Sequence, residues 1–109
     1  MLIGKWVEVA IYGQTVNGVE WIPAPAAYPN GLEIKINGEY IHTERCGNGI
    51  GLGNYLYNPS VNELFLTQFN YSGSPIKYKV SLLDKNYLIL DNGDVSNTLV
   101  QRRKFRKTN

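Results

Sequence analysis

The sequence predicts an all-β protein, a small up-and-down antiparallel barrel of about eight strands. Three observations carry this. Eight Tyr, three Phe and two Trp stand beside many Val, Ile, Leu and Thr, with little Ala, a mixture that suits pleated, half-buried surfaces. Asn-Gly recurs at Asn17-Gly18, Asn30-Gly31, Asn37-Gly38, Asn48-Gly49 and Asn92-Gly93, and both residue types tolerate the positive φ of tight hairpin turns. Between these pairs apolar and polar residues alternate, and no stretch carries a helical repeat of useful length.

The first strand spans residues 3–12 and holds Gly4, Lys5 and Trp6. Residues 13–31 follow as a long connection whose three prolines argue against regular structure. The second strand, 32–36, puts Leu32, Ile34 and Ile36 on one face, and Asn37-Gly38 turns it into a third at 39–45. The run CGNGIGLGN reads as a mobile glycine hairpin, with a fourth strand at 54–57 ended by Asn58-Pro59. A fifth strand lies at 63–69. The sixth, 76–83, alternates Ile76, Tyr78, Val80 and Leu82 with Lys77, Lys79 and Ser81. The seventh and eighth are 87–90 and 98–106. Sequential hairpins leave two edge strands, and closing the sheet on itself hides both. A two-sheet sandwich is the competing closure.

The 109 residues suffice for one domain, 1–109, with one core. The net charge of +2 is too small to require a polyanionic partner. In RRKFRK, alternation splits the cations between two faces, leaving Arg102, Lys104 and Arg106 on a solvated one. Nucleic acid is therefore not expected as a partner. Cys46 stands alone, so no intramolecular disulfide is available. No apolar run reaches the roughly 18 residues that span a membrane, and no signal-peptide pattern precedes Gly4. The compartment stays open: envelope or secreted if a leader is removed, otherwise cytoplasmic.

No enzyme signature emerges. One His and one Cys lack the spacing that completes a metal site, no Gly-x-Ser-x-Gly elbow is present, and Gly49, Gly51 and Gly53 lack the following helix of a phosphate loop. Neither cofactor nor metal is expected. Tyr40, His42 and Glu44 share one face of the third strand. They read as hydrogen-bonding groups that orient a ligand, as an acid–base set, or as a solvated rim. The opposite parity would bury Arg45, which then needs a partner.

The order of these signals resembles the lipocalins and related calycin barrels, and small bacterial lipocalin-like domains in particular. Gly4-Lys5-Trp6 is similar to their opening Gly-x-Trp. LEIKINGEYIHT, GNYLYNPSVNELFLT and KYKVSLLDKNYLILD resemble their successive hairpins, and LVQRRKFRK resembles their closing strand. The resemblance runs from Gly4 to about Arg106. The chain departs from it in lacking disulfides and a clear C-terminal helix. It implies that Gly4, Trp6 and Arg103 close the barrel, with the Trp6 indole against the Arg103 guanidinium, a contact of roughly 0.5–2 kcal/mol. It also implies noncatalytic binding of a small hydrophobic or amphipathic molecule in the lumen. The expected wall is Tyr40, His42, Glu44, Tyr55, Tyr57, Gln68 and Tyr78, with Trp21 and Tyr28 on the long connection as a lid or plug. The alternative is a protein-interaction or inhibitor module with a filled core.

Overall fold

The computed structural model describes residues 2–24, 30–43, 50–69, 74–92 and 101–108. They form nine strands: β1 Gly4–Thr15, β2 Gly18–Pro23, β3 Gly31–Ile34, β4 Glu39–Thr43, β5 Ile50–Asn58, β6 Glu63–Gln68, β7 Ile76–Leu83, β8 Tyr87–Asn92 and β9 Gln101–Lys107. Each strand from β3 to β9 pairs antiparallel with the next, and β1 pairs with both β3 and β9. Eight strands therefore close an up-and-down antiparallel barrel. Closure satisfies the edge amides that an open sheet would leave bare. No helix occurs among the described residues.

β2 is the ninth strand and lies outside the ring. β1 is long enough to serve two neighbours on one edge: Gly4 to Val7 face β3, and Ala10 to Thr15 face β2. The expected loop over 13–31 is thus corrected. Alternating Val19, Trp21 and the turn at Asn17-Gly18 outweigh the prolines, which sit at or beyond the end of β2. The glycine run is corrected too, because Ile50 to Gly53 belong to β5 and pair with β4. In the turns before β2 and β4 only the glycine adopts positive φ, 107° at Gly18 and 91° at Gly38. Asn30-Gly31 is no hairpin turn: Asn30 is buried and Gly31 begins β3.

Two bulges reset which side chains point inward. Glu8 faces Phe105 while Ala10 faces Lys104, so Val9 is the extra residue in β1. Ser81 is the extra residue in β7, between Val80 and Leu82. A one-residue insertion flips every later side chain to the other face. The sixth predicted strand is corrected accordingly. Leu82 is exposed, and Leu83 packs against the core in its place.

The core inside the barrel consists of Trp6, Leu32, Ile34, Tyr40, Leu64, Leu66, Val80, Leu88, Leu90 and Phe105, and Leu2 joins it from beyond the start of β1. Trp6 is fully buried and its Nε1–H donates to the Leu2 carbonyl at 2.8 Å. The chain ends meet here, since the Thr108 amide donates to the Lys5 carbonyl at 2.9 Å. The cation nearest the indole is Lys107, with Nζ 5.3 Å from the ring centroid. Arg103 is not the partner of Trp6: it stands opposite Ile11, five positions along β1, and reaches Glu8 instead. Gly4 pairs with Ile34 on β3, and its φ of 147° favours glycine.

Candidate functional site in the barrel lumen

Inward positions of seven strands surround a cavity of ≈ 280 Å³. Leu32 comes from β3, Tyr40 and His42 from β4, Gly51 from β5, Leu66 and Gln68 from β6, Ile76 and Tyr78 from β7, Leu90 from β8, and Arg103 and Phe105 from β9. Period-two alternation puts each pair two residues apart on the same face. The cavity exists because β5 brings no side chain into it. Gly51 lies opposite His42, and Gly53 lies opposite Tyr40. A Cβ on Gly53 would stand 2.0 Å from the Thr67 carbonyl oxygen and 2.7 Å from Tyr40 Cε1, so the Tyr40 ring lies over this glycine. A Cβ on Gly51 would meet only ordinary contacts, the nearest being His42 Cβ at 3.7 Å.

Charge enters the lumen as a pair. Glu8 is buried on β1, and its Oε2 lies 3.6 Å from Arg103 Nε. Its Oε1 accepts a hydrogen bond from Asn30 Nδ2 at 3.1 Å, and its backbone N–H donates to the Asn30 carbonyl at 2.9 Å. Burying a lone carboxylate is costly, and these partners offset that cost. Tyr40 is only 5% exposed. Burial pushes its phenol above the usual tyrosine range, and nearby Tyr78 adds to the effect. The hydroxyl therefore remains a hydrogen-bond donor at neutral pH.

Of the expected wall, Tyr40, His42, Gln68 and Tyr78 line this cavity. Tyr55 and Tyr57 lie further along β5, at the end where the termini meet. There they line a second hollow of ≈ 300 Å³ with Leu2, Ile3 and Leu83. The Tyr55 hydroxyl donates to the Lys35 carbonyl at 2.8 Å, which anchors β5 to the end of β3. Trp21 is neither lid nor plug. It faces Tyr12 across β1 and β2, with ring centroids 5.2 Å apart, and the Arg102 guanidinium lies 5.5 Å over Tyr12. The Val9 bulge places this cluster outside the barrel, because it turns Tyr12 outward with Arg102. Tyr28, Glu44 and Cys46 lie outside the described residues.

The basic run is engaged locally. Arg102 is ion-paired with Asp91 at 2.8 Å, which also accepts a hydrogen bond from Ser81, and Lys104 Nζ sits 4.5 Å over the Tyr87 ring. Sequence reasoning missed Glu8 and Asn30, and it gave Arg103 a different partner. The parity of Trp6 and Glu8 was a usable signal: an acidic residue on an inward face needs a cation, and the closing strand supplies one.

Fold and site together define an eight-stranded antiparallel barrel with a partly polar lumen. The chain is similar to the crystal structure of a DUF4847 family protein from Bacteroides vulgatus ATCC 8482, with a TM-score of 0.61, 14% identity and coverage of 97% of this chain and 94% of that one. At that identity the likeness speaks for the fold alone. No family model and no curated protein matches the sequence.

Proposed function

We propose that the protein is a lipocalin-like, noncatalytic carrier that holds a small hydrophobic or amphipathic molecule in its lumen. The supporting observation is the ≈ 280 Å³ cavity, which combines Leu32, Leu66, Leu90 and Phe105 with the polar groups of Tyr40, Gln68 and Arg103. Ligand pockets typically measure about 300–1,000 Å³ and join apolar walls to a few oriented polar groups. A volume at the lower edge selects a short ligand. The test is native mass spectrometry of protein purified without detergent, followed by titration with short-chain amphiphiles. A bound hydrophobe or a saturable complex is expected in the wild type. Gly51→Phe, which fills the lumen from a position free of strain, should abolish it. Failure of every amphiphile to bind would overturn this reading.

One observation favours a second reading, a protein-interaction module. The outer face of β5 carries Ile50, Leu52 and Leu56, all exposed. Asn54 shares this face between Leu52 and Leu56, and exposed apolar side chains grouped in this way mark contact sites on many proteins. Leu52→Lys with Leu56→Lys would abolish such a contact and leave lumen binding intact.

A further inference from the structure

We propose that the lumen selects the uncharged carbonyl head of a short amphiphile, such as an amide, ester or ketone, over the matching carboxylate. This rests on the reading of the lumen as a ligand site and adds the chemistry of its head group.

Among the described residues that line the cavity, Arg103 is the one Lys or Arg. Its charge is already answered within the protein, because the buried Glu8 carboxylate lies 3.6 Å from its Nε. Asn30 holds that carboxylate in place through the 3.1 Å hydrogen bond to Oε1. The pair carries no net charge. A ligand carboxylate in the lumen would give up its hydration and stand beside Glu8 on a shared guanidinium. Desolvation and like-charge repulsion both oppose that arrangement.

A carbonyl oxygen meets neither penalty. It has two lone pairs to satisfy, and the wall offers neutral donors for them. Tyr40 is more than nine-tenths buried and lines the cavity, and its phenol is a neutral donor of one hydrogen bond. The Gln68 amide lies on the same wall. The guanidinium retains terminal N–H groups beyond the Nε that faces Glu8. A carbonyl oxygen accepts from these groups without adding charge to the lumen. The apolar tail then lies against Leu32, Leu66 and Phe105.

The experiment is a ¹H–¹⁵N NMR titration of the full chain near neutral pH with two probes of equal length, octanamide and octanoate. Octanamide is expected to shift the Gly51 amide and to bind at least about tenfold more tightly than octanoate, since only octanoate must bury a second negative charge. Glu8→Gln leaves Arg103 with an unanswered positive charge and should reverse the preference. If that variant does not fold, the wild-type comparison still decides the matter. Tyr40→Phe supports it if octanamide binding weakens several-fold. Octanoate binding as tightly as octanamide would overturn the head-group inference and leave the lumen reading standing. If neither probe moves a lumen resonance, both fall.

Discussion

Glu8 and Arg103 are the pair on which the lumen's polarity depends. Glu8→Ala strands a guanidinium that is about two-thirds buried, and should cost about 3 kcal/mol, the lower end for breaking a buried ion pair. The double variant Glu8→Met/Arg103→Met should recover most of that loss, because no charge is left stranded. Urea denaturation of the three variants checks both statements. Tyr40 predicts a pH dependence. Its folded-state pKa is raised by burial and then by Tyr78, so the folded state holds the phenolic proton more tightly than the unfolded chain. That contribution is fully present below the unfolded value near 10 and is lost as pH rises through the higher folded value. Alkaline urea titrations should show the loss in the wild type and a smaller one in Tyr40→Phe. Asp84 behaves oppositely. Hydrogen bonds from the backbone N–H groups of Asn86 and Tyr87 lower its pKa. Its contribution is present above the unfolded range and fades as pH falls through the depressed value.

At the scale of elements, β5 explains the cavity and the β1 bulge explains what was misplaced. Gly51 and Gly53 look alike in the sequence and have different tolerances. Gly53→Ala drives a methyl into the Thr67 carbonyl and should cost about 1–3 kcal/mol by overpacking. Gly51→Ala meets only ordinary contacts and should change stability by less than about 0.5 kcal/mol. Thermal unfolding of the two variants gives the comparison. Trp21 tests the bulge. Since it packs on Tyr12 outside the barrel, Trp21→Ala should loosen the β1–β2 hairpin in hydrogen exchange and leave lumen affinity unchanged. The alternation of Tyr40 with His42, and of Arg103 with Phe105, was legible because those strands have no interruption. Tyr12, Leu82 and Leu83 were not, since a single extra residue inverts parity and Val9 and Ser81 carry no chemical mark of being extra.

At the scale of the molecule, the barrel depends on β9, which pairs with β8 on one side and β1 on the other. A chain ending after residue 100 loses both ladders and exposes two bare edges. It should show no cooperative melting transition by circular dichroism and no dispersed amide spectrum. The β1–β9 pairing joins the two ends of the chain, and such long-range contacts slow folding into the range of about milliseconds to seconds. Stopped-flow refolding measures this directly.

The amino-acid order by itself determined the all-β class, most of the strand positions, the inward parity of the uninterrupted strands and the need to hide two sheet edges. These follow from local rules: β propensity, period-two alternation, glycine at positive φ, and the cost of unpaired edges. The tertiary structure alone decided that Glu8 answers Arg103, that Lys107 is the cation beside Trp6, and that Trp21 packs outside the wall. It also decided that Gly51 on β5 borders a hollow while the Tyr40 ring covers Gly53. Each of these depends on which residues face one another across the ring. Facing is set by register, and register by bulges and closure that no short stretch of chain encodes.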